Sequence, residues 1–297
     1  MEYAINFSGD TVILNVLVGA DSTLVGLKVN NSTVISMKYK ELHRIVSKVY
    51  GLVEQNNFWN SLSTHFIHCQ EDDELIVLET ICMTGIDLVD SERLFKAFKL
   101  FHGADIFSCY KINYKVIDGK ICFGGLGNTK MYLHARGLVK PLYSLDEKRK
   151  AEFPHWYTST FSKLSQEKFN NKYQSMLVMY DTSYLMGLCE AEFVMLFTIL
   201  EMLFGIENID ITKNIAKGTS KLVGKNANEK SYIRNRMVKL YDVRSRYVHD
   251  GKKILHEYLF ELREVVRRVL IEILNRDYHM QDRSLEELRD SLLGISN

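Results

Sequence analysis

At Tyr143-Ser-Leu-Asp-Glu147 the chain changes character. Ser144 and Glu147 have the spacing of a capping box, in which each side chain satisfies an orphan backbone donor at a helix start. Before this point the sequence reads as strands with one or two helices. After it, the sequence reads almost wholly as helices. The change predicts an α+β protein: a β-rich domain over residues 1–143, then an all-α helical bundle over residues 144–297.

Working back from the boundary, Thr11 to Val18 and Thr23 to Val29 are rich in Val, Leu and Ile, and Asn30-Asn31 makes a turn into Ser32 to Met37. Lys38 to Gln55 reads as an amphipathic helix, with Leu42, Ile45, Val46, Val49 and Val53 at helical spacing. Glu74 to Met83 is an apolar strand. Asp90 can cap a helix through Phe101 that ends at Gly103. Ile112 to Ile117 and Lys120 to Phe123 flank Asp118-Gly119, the pair that supplies the positive φ of a type I′ hairpin turn. Met131 to His134 is a further strand candidate.

Working forward, Pro154 is expected to start or kink a helix that runs to about Tyr180. Tyr184 to Phe204 is strongly apolar and closes at Gly205. Ile211 to Val223 and Lys230 to Val248 read as two basic helices, the second stopped by Asp250-Gly251. Ile254 to Leu274 is amphipathic, with Leu255, Leu259, Leu262, Val266, Val269 and Ile273 on one stripe. Ser284 to Glu287 is a second capping box, and Gly294 closes the helix it opens.

Composition excludes several classes. Apolar residues make up 46% of 297, enough for a sizeable core, and 25% charged residues is ordinary for a folded chain. The longest apolar run, Phe193 to Ile206, contains Glu201 and is shorter than the roughly 20 residues a bilayer span needs. The first residues have neither a basic nor an apolar signal region, so no secretory signal is expected. Five cysteines without a CxxC pair read as reduced thiols of a cytoplasmic protein with no membrane partner.

Charge is informative once resolved along the chain. Ile211 to Lys253 holds twelve Lys/Arg against Glu229, Asp242 and Asp250, a net of +9; the remainder has 26 basic and 34 acidic residues, a net of −8. A basic segment on an otherwise acidic molecule is the footprint of a phosphate-rich partner, and it also fits a merely solvated helix face.

Other motifs fail on spacing. Gly218 to Asn226 imitates a P-loop, but five residues separate its glycines, Asn226 stands where Ser or Thr would bind Mg²⁺, and it lies between helices. Gly124, Gly125 and Gly127 fit a loop after the hairpin. His65, His68 and Cys69 alternate faces in a strand and lack a second ligand pair, so neither a metal nor a cofactor is expected. Glu201, inside an apolar helix, reads as a structural acid at the helix edge or paired with a basic helix of the bundle.

Chemistry concentrates in Leu240-Tyr-Asp-Val-Arg-Ser-Arg-Tyr-Val-His249-Asp-Gly251. A histidine trades protons near neutral pH, and an arginine's planar fork matches phosphate oxygens. The two suit attack by a ribose 2′-hydroxyl on its neighbouring phosphate. Five helical residues turn through about 500°, which leaves Arg244 and His249 roughly 140° apart. Arg246 and His249 are closer in azimuth. An undistorted helix favours Arg246 as the partner of His249. Arg244 converges if the helix unwinds before Gly251, or if a second subunit supplies one group.

The Arg244-x4-His249 spacing, late in a helical unit, resembles the R-x4-6-H motif of the HEPN superfamily, and its Apea-like branch in particular. Ala191 to Gly205, Leu240 to Gly251, and the later helix bearing Arg263, Arg267 and Arg268 carry the resemblance, which covers about Leu145 to Asn297. It implies a metal-independent endoribonuclease acting on single-stranded RNA, tRNA loops included. It further implies a homodimer in which two motifs meet in one cleft, and a role as a toxin or an anti-phage effector with an antitoxin or a phage-derived activator. Arg244 and His249 become the catalytic pair, and Tyr241, Ser245, Arg246, Tyr247 and Lys252 the substrate-binding candidates. Where the family often has Asn, Asp or His after the motif arginine, this chain has Ser245. Because some members are inactive, the resemblance also admits a HEPN dimer that binds RNA or a nucleotide, or partners a toxin. Residues 1–143 resemble no family; a sensor or regulatory role is the expectation there.

Overall fold

The computed structural model describes residues 11–49, 51, 55–56, 59, 70–82, 90–103, 106–117, 120–123, 143–161, 170–184, 186, 188–206, 210–280 and 284–295. The expected strand at Met131 to His134, the hairpin turn at Asp118-Gly119, the glycine cluster at 124–127 and His65, His68 and Cys69 lie outside them. The fold is α+β: an antiparallel sheet, then a helical region. Two compact units divide it, Met1–Tyr157 and Thr158–Asn297.

The first unit is built on β1 (Thr11–Val18), β2 (Lys28–Val29), β3 (Ser32–Lys38), β4 (Glu74–Cys82), β5 (Phe107–Ile117) and β6 (Lys120–Phe123), in the order β2-β3-β4-β1-β5-β6. Every described neighbour pair is antiparallel; Leu14 faces Glu79 on one side and Ile112 on the other. β1 is central, which explains its unbroken apolar run: every residue from Val12 to Val18 is buried. Val12, Leu14, Val16 and Val18 share a core with Leu42, Ile45, Val46 and Val49 of α1 (Tyr39–Val49). Leu42, Ile45, Val46 and Val49 of the helical stripe read from the sequence are thus the face laid on the sheet, while Val53 lies outside the described residues. Thr23 to Val29 is not one strand. Asp21 accepts a hydrogen bond from the Thr23 amide, Ser22–Leu24 forms a 3-10 turn, and Gly26 takes a positive φ, which leaves only β2 extended.

Two helices complete this unit, α2 (Asp90–His102) and α3 (Glu147–Ser159). They meet through Phe98 stacked on Phe153, centroids 4.8 Å apart, and Phe101 edge-on to the same ring. Tyr143 donates from its hydroxyl to the Phe98 carbonyl. This aromatic packing ties α3 to the sheet unit as far as Tyr157, two residues short of the helix end. The cap of α3 also differs from expectation: Asp146, not Ser144, accepts the Arg149 amide at 2.8 Å. Pro154 lies within α3, eight positions into its run, and does not begin a helix.

The second unit holds α4 (Asn171–Ser183), α5 (Cys189–Phe204), α6 (Ile211–Val223), α7 (Ala227–Asp250), α8 (His256–Asn275) and α9 (Leu285–Leu293). Tyr184 ends α4 rather than opening α5. α5 is apolar on most sides because it is the central helix: Phe193, Leu196, Phe197, Leu200, Leu203 and Phe204 are all buried. α8 turns Leu259, Leu262, Val266, Val269 and Ile273 inward, while Leu255 precedes the helix and is exposed. Ser284 accepts the Glu287 amide, as the second capping box requires. No described helix is long and apolar enough to cross a membrane.

One ion pair sits inside this apolar packing. Arg263 of α8 donates through Nε and Nη2 to the two carboxylate oxygens of Glu192 on α5, and both residues are almost wholly buried. The guanidinium lies 4.8 Å from the Tyr184 ring centroid and 5.5 Å from that of Phe260. Further polar ties join helix ends to neighbouring side chains. Arg268 and Arg276 donate to the carbonyls of Val223 and Leu222, the last residues of α6. Tyr173 donates to the Leu270 carbonyl at 3.0 Å.

Two outcomes follow. Arg263→Ala strands the Glu192 carboxylate and is expected to lower unfolding free energy by about 3–5 kcal/mol, while the double variant Arg263→Met/Glu192→Leu loses less; urea denaturation measures both. Gly218, inside α6, lies so close to the buried Phe204 ring that a Cβ would fall 2.3 Å from it. Gly218→Ala, which helix propensity alone favours, is therefore expected to destabilise by about 1–3 kcal/mol in the same assay.

Candidate nucleic-acid interface

The basic helix α7 is longer than its hydrophobic pattern suggests. Asn226 caps it through the Glu229 amide, and it continues to Asp250. Gly251, at φ 67°, then takes the left-handed conformation that stops it, its amide bonded to the Tyr247 carbonyl at 2.9 Å. The helix does not unwind before Gly251, so that route for bringing Arg244 round to His249 is closed. The two side chains leave one helix on different faces.

Arg244 points inward. Its Nη2 lies 3.3 Å from Oε1 of Glu201 on α5, and its Nε is buried with no hydrogen bond. Tyr241 joins the same cluster, donating to Glu201 Oε1 at 3.2 Å. The Tyr241 ring packs edge-on against Phe197 at 5.3 Å, and the Arg244 guanidinium sits 5.6 Å from its centroid. Glu201 is thus the acid paired with a basic helix that the sequence indicated. Burial holds the Tyr241 phenol above its ordinary pKa; the Glu201 carboxylate adds to the rise and Arg244 opposes it. A ring so engaged is part of the packing rather than a surface for a base.

The opposite face is open. His249 is exposed and makes no hydrogen bond or ion pair among the described residues. Arg246, three residues earlier, is also exposed, and its Nη2 meets Asp242 Oδ2 at 2.5 Å. An exposed pair of this kind contributes about 0–1 kcal/mol, so a phosphate can take the guanidinium from it. Ser245 and Tyr247 are half-buried. Lys252 follows the helix, exposed, with its ammonium 3.8 Å from Asp250. The sequence therefore assembled two groups into one: Tyr241 and Arg244 belong to an inner cluster with Glu201, and Arg246 and His249 to an outer face.

The charge excess is cancelled only in part by acids outside the segment: Lys213 pairs with Asp210, Arg236 with Glu261 and Arg244 with Glu201. Each acid of α7 has a cation: Glu229 has Arg268, Asp242 has Arg246, Asp250 has Lys252. Lys230, Arg234, Lys239 and Lys253 are exposed and have no ion pair among the described residues. These four exposed cations set up a positive field that attracts anions. No cluster of three or more His, Cys, Asp or Glu that could hold a metal occurs among the described residues.

Glu201→Gln is expected to lower the Tyr241 ionisation midpoint without returning it fully to the ordinary value, because burial remains the larger cause. Titration of the tyrosine ζ-carbon resonances by NMR measures the shift, and urea denaturation the accompanying loss of about 1–2 kcal/mol. No protein-family model, curated protein or solved structure matches this chain.

Proposed function

We propose that this protein is a metal-independent endoribonuclease of HEPN type that cleaves single-stranded RNA. His249 is the proton-transfer group and Arg246 the phosphate clamp of the same chain. The ribose 2′-oxygen bonds to phosphorus as the bond to the 5′-oxygen breaks; one imidazole takes the 2′-hydroxyl proton and another donates to the leaving oxygen. The products carry 2′,3′-cyclic phosphate and 5′-hydroxyl ends. A homodimer supplies the second imidazole from His249 of the partner subunit, so acid and base come from two chains. Arg244, held by Glu201 and Tyr241, braces the helix beneath. An anti-phage or toxin role, governed by an antitoxin or a phage-derived trigger, completes the reading.

The observation that supports it is an exposed histidine, without hydrogen bond or ion pair among the described residues, sharing a helix face with a releasable guanidinium on a basic helix that keeps several exposed cations. The test is cleavage of single-stranded RNA in EDTA. His249→Ala is expected to reduce the rate by about 10²–10⁴. Arg246→Ala is expected to cost more activity than Arg244→Ala once both proteins are shown to be folded. Activity that requires Mg²⁺, or that survives His249→Ala, overturns the mechanism.

A second reading, an RNA- or nucleotide-binding module without catalysis, is favoured by one feature: Arg244, the motif arginine, is occupied by Glu201. RNA retention with no cleavage under any of these conditions would establish it.

A further inference from the structure

Farther along α7, away from His249, Tyr232 presents an aromatic ring that is 63% exposed. Arg236, one turn later, occupies the same side of the helix. Its Nε and Nη2 donate to the two carboxylate oxygens of Glu261 on α8, at 2.7 and 2.5 Å. That fork fixes the plane of the guanidinium, whose side chain remains 29% exposed. Tyr258, three residues before Glu261, is half-buried, and both phenols lie within electrostatic reach of the Arg236 charge. Lys239, three residues beyond Arg236, is exposed without an ion pair among the described residues.

A single exposed tyrosine is unremarkable by itself. Here it is joined to an oriented guanidinium and a free ammonium, on a helix whose acids are all occupied. We infer that Tyr232, Arg236, Tyr258 and Lys239 form a stacking ledge for single-stranded nucleic acid. Bases lie on the Tyr232 ring and the Arg236 face, and Lys239 neutralises a phosphate. The inference rests on the RNA reading above and assigns the part of the strand that lies outside the reacting phosphate. An acidic protein surface would satisfy the charges but offer nothing to the rings, and a duplex keeps its base faces covered.

The helix sets the length of strand. Seventeen residues separate Tyr232 from His249, a rise of about 25 Å at about 1.5 Å per residue. A stacked strand advances roughly 3.4 Å per nucleotide, so about seven nucleotides connect the ledge to the histidine. An oligonucleotide of about twelve nucleotides engages both places, whereas a trinucleotide engages only one.

The experiment uses the full chain carrying His249→Ala, which prevents turnover, and fluorescein-labelled single-stranded RNA of about twelve nucleotides or of three, read by anisotropy. In the parent the longer RNA is expected to bind more tightly than the trinucleotide, and adding Tyr232→Ala is expected to weaken the longer RNA about tenfold, with heparin, a polyanion without bases, unchanged. Tyr232→Phe stays within about twofold of the parent. Lys239→Ala weakens the longer RNA and heparin alike. The ledge is overturned if Tyr232→Ala binds the longer RNA as the parent does, if heparin weakens equally, or if Phe fails as Ala does. The two readings separate on the chain with His249 intact. RNA held through Tyr232 but never cut leaves the ledge standing and removes the ribonuclease. Cleavage that needs His249, with binding indifferent to Tyr232, removes the ledge alone.

Discussion

The helical unit depends on one buried ion pair, Glu192 with Arg263. A carboxylate buried in the first turn of an apolar helix is costly unless it is paired and its oxygens are hydrogen-bonded. Arg263 meets both oxygens from a neighbouring helix, and the rings of Tyr184 and Phe260 flank its guanidinium. The pair also fixes register. If α8 slid along α5 by a turn, two charges would be left in the core without partners. Such an arrangement contributes less to stability than to the choice of one packing over others. Specifying the position of α8 also specifies where Arg268 and Arg276 meet the last carbonyls of α6, and where Glu261 meets Arg236.

The contrast between the two faces of α7 comes from the same organisation. Its inner face presents Ile233, Met237 and Leu240 to the bundle, with Arg244 and Tyr241 reaching Glu201. Its outer face keeps Arg246 and His249 in solvent. An unbroken helix cannot turn Arg244 and His249 to one side, so the spacing that identifies the motif separates its two members within a single chain.

Much of this was legible in the residues. Apolar runs bounded by turn signals located β1, β3, β4 and β5, and stripes at helical spacing located α1 and α8, because burial dictates those patterns. The separation of Arg244 from His249 around an unbroken helix followed from the helical pitch alone. The pairing of Glu201 with a basic helix followed from the cost of leaving it alone. What was illegible depended on contacts distant in sequence. α3 joins the sheet unit because Phe153 stacks on Phe98, a pairing that no local pattern encodes. The Arg236–Glu261 fork spans 25 positions, so nothing near Tyr232 marked it as more than a surface tyrosine. Asp146 displaced Ser144 as a cap because both can accept an amide, and only the helix start decides between them.

Gly224, between α6 and α7, has a further consequence. A Cβ there would fall 2.5 Å from the Lys230 side chain and 2.6 Å from the Ser220 carbonyl. The connection between the two basic helices is therefore as tight as a backbone allows, with no slack to let them splay. Like charges that would drift apart in a looser hairpin are kept at close range, so the potential along this edge is a fixed property of the architecture and not a product of fluctuating side chains.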